Sequence, residues 1–245
     1  MRNIKLTIEY DGKDFNGWQK QPNKLNIQGT IERAIEEITG EQVELNASGR
    51  TDAGVHALAQ VANFKTNSKL PIEKIPLAIN SRLKKSIIIK DAEEVDERFH
   101  SRLACKQKTY RYVINNTYNG TAIYRNLECH IPIKLDIKKM QQAIQYFIGE
   151  HDFKAFKASG TSSKSSVRTI YDATVYTEND RVFIELTGNG FLYNMVRIIS
   201  GTLVDVGLGK IKPEDIIEII KMGKREKAGK TMPAHGLYLV KVDYT

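Results

Sequence analysis

The chain has 245 residues, 41% hydrophobic and 27% charged, the balance of a soluble globular protein with one large domain or two small ones. Its net charge of +8 favours a polyanionic partner, because each neutralised phosphate releases condensed counterions; the bland alternative is a surface kept basic for solubility. Cys105 and Cys129 form no CxxC pair and the five histidines are scattered singly, which excludes a disulfide framework and leaves no spacing for a zinc site.

The first predicted element is a half-buried strand, in which Ile4, Leu6 and Ile8 alternate with Lys5, Thr7 and Glu9. This start lacks the apolar core of a signal peptide. A polar loop with Gly17, Trp18 and Pro22 leads into a helix at 30–39, where Ile31, Ala34, Ile35 and Ile38 share a stripe that Gly40 closes. Short strands are expected at 43–47 and 61–66, flanking the irregular segment 48–57, then a helix at 72–83 despite Pro76 and a strand from Ile87.

A second round follows: a strand at 108–115, a helix at 137–148, and an antiparallel pair at 173–176 and 182–186. Helices at 192–206 and 213–222 and a last strand at 237–242 close it. The run 191–206 is the nearest approach to a membrane span, but Arg197 and Asp205 interrupt it well short of about eighteen uncharged residues. Bunched strands without strict βαβ alternation predict an α+β fold on a mainly antiparallel sheet. The octets AIEEITGE (34–41) and AIQYFIGE (143–150) echo one another and hint at two similar halves. The polar run 159–166 is the expected mobile loop.

Three places could carry chemistry. The segment SGRTDAGVHALAQ (48–60) obeys neither the helical nor the strand period and crowds Arg50, Asp52 and His56 around two glycines. Its plain reading is an Asp-Gly turn; the charge of Arg50 favours instead a carboxylate held ionised. Arg197 sits between apolar turns of the helix at 192–206, on a face with Gly190, Asn194, Gly201 and Asp205. A cation there needs an anion, and Asp52 is the expected partner; a snorkelling surface arginine is the alternative. In KTYRY (108–112), Tyr110 and Tyr112 share one face of a strand, suited to stacking on bases or simply to a core. GxGxxG after a strand, GxxxxGK[ST], GxSxG and the zinc-deaminase signature are all absent.

At these residues the sequence closely resembles the tRNA pseudouridine synthase A family. The resemblance runs nearly end to end, through YDGKDFNGWQKQ (10–21), IQGTIE (27–32), GRTDAGVHA (49–57), RFHSR (98–102), KTYRY, GEHDFKAF (149–156), VRTI (167–170), GFLYNMVRIISGTL (190–203) and PAHGLYLVKVDY (233–244). Lys230 and Met232 depart from the family's usual residues. The resemblance implies a pseudouridine synthase fold of two similar α+β halves, divided here at 1–105 and 106–245, joined across a basic cleft. It implies a homodimer that binds tRNA, with no DNA partner, and isomerises uridines 38, 39 and 40 of the anticodon stem-loop; the start without a signal peptide and the lack of a membrane span predict a cytoplasmic protein with no membrane partner. It carries the catalytic aspartate onto Asp52, the stacking tyrosine onto Tyr110 and the paired arginine onto Arg197, and it places Arg50 to help extrude the base or hold its phosphate.

Pseudouridine formation breaks the N1–ribose bond, turns the uracil and joins C5 to the same carbon. No atoms enter or leave, so neither a redox cofactor nor a metal is expected. An ionised carboxylate can act as nucleophile at the ribose or at C6, or as base at C2′, and the sequence does not choose. Two other classes remain: a tRNA-binding module without chemistry, against which the intact GRTD argues, and a protein-interaction domain whose charge is incidental.

Overall fold

A computed structural model describes residues 1–160 and 165–245, so most of the centre of the polar run 159–166 lies outside the described residues. The chain divides into two compact units, one formed by Met1–Lys106 with Tyr238–Thr245 and the other by Gln107–Leu237. Both are α+β with mainly antiparallel strand pairing.

In the first unit, β1 (Arg2–Tyr10) buries Ile4, Leu6, Ile8 and Tyr10 on one face, as its alternation dictates. α1 (Ile27–Thr39) begins one turn earlier than the apolar stripe alone predicts. Asn26 caps it by accepting the Gly29 N–H, and Gly40, at φ 73°, ends it. β2 (Asn46–Ala47) is the only paired part of the expected strand at 43–47. β3 (His56–Thr66) starts five residues before its expected position, inside the irregular segment. A 3-10 turn (Ile72–Lys74) and α2 (Ile75–Asn80) divide the predicted helix, since Pro76 has no N–H to donate and is tolerated only in a first turn. β4 (Ile87–Val95) pairs with β1, which pairs with β3, both antiparallel.

In the second unit, β5 (Gln107–Asn115) pairs in parallel with β6 (Cys129–His130). α3 (Ile137–Ile144), capped by Asp136, passes through a 3-10 turn (Gln145–Phe147) into β7 (Gly149–Asp152). The sequence echo therefore holds through the two helices, burying Ala34 and Ile35 in one and Ala143 and Ile144 in the other. It diverges at the glycine: Gly40 closes a helix, whereas Gly149 opens a strand. β8 (Val167–Glu178) and β9 (Arg181–Gly188) form a longer hairpin than expected, turning through Asn179 and Asp180 at positive φ. β9 pairs with β5 and β8 with β7, all antiparallel.

α4 (Met195–Gly207) packs on α3 and β5. It starts three residues after the expected position because Asn194 adopts a left-handed φ of 59°. After α5 (Asp215–Met222), the chain reaches β10 (Leu237–Asp243), which runs parallel to β3 through Tyr238 and Leu239. Among the described residues, no helix is long and apolar enough to cross a membrane.

Candidate active site

Asp52 lies on the loop that joins β2 to β3, and that loop is tied down on both flanks. Upstream, the Ser48 amide donates to the Val61 carbonyl at 2.8 Å. The Ser48 hydroxyl donates to Gln60 Oε1 at 2.7 Å, and Gln60 Nε2 donates to the Gly49 carbonyl at 2.9 Å. Downstream, the Val55 amide donates to the Asp52 carbonyl at 3.1 Å, and Gly54, at φ 77°, donates to the Phe15 carbonyl at 3.3 Å. Between these ties Asp52 is half-buried, while Arg50 is exposed and makes no hydrogen bond or ion pair among the described residues.

The segment after β1 presses on this loop. The Trp18 amide donates to the Thr51 carbonyl at 3.0 Å, and the hydroxyls of Tyr10 and Thr51 lie 2.7 Å apart. Burial pushes the Tyr10 phenol pKa far up, so it stays protonated and able to donate. Two glycines allow this approach. A Cβ on Gly17, at φ 82°, would sit 2.6 Å from the Thr51 carbonyl oxygen and 3.1 Å from the Asp52 carbonyl carbon. A Cβ on Gly12 would overlap the Val55 carbonyl, and the Gly12 amide instead donates to His56 Nδ1 at 3.0 Å. The His56 ring stacks on Tyr238 with centroids 4.8 Å apart.

In the second unit, Tyr110 is buried on β5 and meets Phe191 edge-on, with centroids 5.2 Å apart. Tyr112 shares its face, as strand geometry requires, and its hydroxyl donates to the Pro233 carbonyl at 2.8 Å. Arg111 takes the other face and pairs with Glu185, its cross-strand neighbour on β9.

Arg197 sits half-buried in the first turn of α4. Its Nε donates to the Met232 carbonyl at 2.6 Å and one terminal nitrogen donates to Asn194 Oδ1 at 2.7 Å. The segment carrying Met232 can reach the helix because Gly201 and Gly229 meet backbone to backbone; a Cβ on Gly201 would overlap the Lys230 carbonyl. The Gly229 amide completes the contact by donating to Thr202 Oγ1 at 2.9 Å. Burial, and then the Arg197 charge, hold the His235 pKa below its usual value.

Asp52 and Arg50 thus share one loop of the first unit, and Tyr110 and Arg197 belong to the second. Tyr10, Thr51, Gln60 and Asn194 were not singled out from the sequence as site residues. The available signal was the pair of glycines at 12 and 17, placed in a polar loop where no helix or strand needs them. Among the described residues, no group of three or more His, Cys, Asp or Glu side chains could hold a metal ion.

A family model described as tRNA pseudouridine synthase matches residues 6–103 and 143–245. A protein of Caldicellulosiruptor saccharolyticus named tRNA pseudouridine synthase A is 57% identical over 244 residues, covering 100% of both chains. One of the same name from Acetivibrio thermocellus is 53% identical over 244 residues, again covering 100% of both. Among solved structures, a chain of a Cbf5–Nop10–Gar1 complex aligns with 96% of this chain at 14% identity and a TM-score of 0.36; this chain spans 57% of that chain's length. The matched segments take in the loop of Asp52, the whole of α4 and the strap that holds Arg197, and the chain belongs to the tRNA pseudouridine synthase family.

Proposed function

We propose that this isomerase converts uridine to pseudouridine at positions 38, 39 and 40 of the tRNA anticodon stem-loop, with Asp52 as its nucleophile. The observation that carries the reading is the setting of Asp52: a half-buried carboxylate on a loop tied to β3 on one side and to the Tyr10–Trp18 segment on the other. Such preorganisation suits a group that must meet a base already drawn out of its stack, at a cost on the order of a few kcal/mol. Attack by the carboxylate at the ribose C1′ displaces the uracil, which leaves with the electron pair of the broken N1–ribose bond. After the uracil turns, its C5 attacks C1′ and displaces the carboxylate, and C5 then loses its proton. Attack at uracil C6, or proton abstraction at C2′, is the competing first step.

Tyr110 covers the face of the uracil, and Arg197 and Arg50 bind the substrate, Arg50 at the target nucleotide's phosphate. These roles rest on the family's pattern in GRTD, KTYRY and MVR. The boundary between the halves, 1–105 and 106–245, separates the nucleophile from Tyr110 and Arg197. A cytoplasmic homodimer acting on tRNA completes the reading, supported by the same resemblance and by the net charge of +8.

The test is to map pseudouridine, by carbodiimide modification and primer extension, in a tRNA carrying uridines at 38, 39 and 40. Stops confined to those three positions support the assignment. Stops elsewhere on the tRNA, with none in the anticodon arm, overturn it.

A further inference from the structure

The loop of Asp52 rests on polar groups that the chemistry itself does not use. Tyr10, Thr51 and Gln60 are all buried, at 3%, 6% and 0% exposure. The Tyr10 hydroxyl meets Thr51 Oγ1 at 2.7 Å. Gln60 in turn grips Ser48 and Gly49 and accepts the Val61 amide at 3.1 Å. Two sets of hydrogen bonds therefore hold the approach to Asp52, one from Gln60 to Ser48 and Gly49 and one from Tyr10 to Thr51.

Packing alone would be served as well by phenylalanine and valine, which carry no desolvation cost. A fully satisfied buried network instead selects one geometry, because any displacement leaves a polar atom without a partner. Thr51 is bonded at two points, its carbonyl to the Trp18 amide and its hydroxyl to Tyr10. Its backbone is fixed, and with it the direction in which the next residue leaves.

We infer that Tyr10, acting through Thr51, and Gln60, acting through Ser48 and Gly49, are positioning residues that set the Asp52 carboxylate for attack. The inference rests on Asp52 being the nucleophile. Neither Tyr10 nor Gln60 touches substrate; their loss lowers the rate of the chemical step by letting Asp52 wander. A misplacement on the order of 1 Å is worth about a hundredfold in rate, so a loss of at least about tenfold is expected.

The test is single-turnover pseudouridine formation at saturating tRNA, with tRNA affinity and melting temperature measured alongside. Tyr10→Phe removes one hydroxyl. It is expected to slow the chemical step at least tenfold with affinity unchanged, at temperatures well below its own melting point. Thr51→Val should match it, Thr51→Ser should restore the lost rate, and the double variant Tyr10→Phe/Thr51→Val should be no slower than the worse single. If Tyr10→Phe does not fold, the comparison of Thr51→Val with Thr51→Ser decides by the same readout. A wild-type rate in folded Tyr10→Phe and Thr51→Val, with Asp52→Ala inactive, overturns the positioning role and spares the nucleophile. Full turnover by Asp52→Ala overturns both.

Discussion

Arg197 and Met232 are joined twice: the Arg197 Nε donates to the Met232 carbonyl at 2.6 Å, and the Met232 amide donates to the Arg197 carbonyl at 3.2 Å. The side chain and the backbone of one residue are thus clasped by the backbone of another. Asn194 holds a further edge of the guanidinium, and it does so with the side chain that a helix-capping asparagine would ordinarily turn to its own backbone.

Asn194→Ala is therefore expected to lower activity more than stability. One clasp on Arg197 is lost, while Met232 retains the other. Replacing an asparagine at left-handed φ also costs about 1 kcal/mol. The expected result is a fall in kcat of about tenfold, with melting lowered by a few degrees. Steady-state kinetics beside thermal unfolding checks this.

Gly17→Ala tests the support of the Asp52 loop from the other side. The new methyl meets the Thr51 carbonyl in a backbone conformation that alanine disfavours, a combined cost of about 2–4 kcal/mol. Chemical denaturation should show a loss of that size, and the surviving folded fraction should turn over more slowly than wild type.

Arg50 is exposed, so Arg50→Ala should leave the melting temperature unchanged. If it engages a phosphate, tRNA binding weakens and the slope of log affinity against log salt becomes shallower by about one. An unchanged slope assigns Arg50 no phosphate.

His235 supplies a pH dependence. Its pKa is depressed in the folded chain, so the unfolded chain takes up a proton more readily. Stability from this group is present above the unfolded value of about 6.5 and is lost as pH falls from there through the folded value. Melting profiles from pH 8 to 5 should therefore decline less in His235→Gln than in wild type.

Much of this architecture was legible because burial follows periodicity. The alternation of Ile4, Leu6 and Ile8 and the stripe of Ile31, Ala34 and Ile35 correspond to buried faces of β1 and α1. What was missed has local causes. β3 begins at His56, where the alternation is broken and its register with β1 shifts near Tyr10. β7 is four polar residues, GEHD, held by pairing with β8 and not by a face of its own. The Asp52 loop stood out by lacking any period, but its supports did not. Tyr10 looks like the end of a strand, and Gln60 like a solvent-facing residue, until Thr51 and Ser48 are brought against them.

The central claim is that Asp52 carries the chemistry. It is tested most directly by tritium release from tRNA labelled at uracil C5, comparing wild type with Asp52→Ala at equal tRNA occupancy. The expected result is release by the wild type and none above background by Asp52→Ala, with tRNA still bound by both. Release by both proteins at similar rates would contradict it.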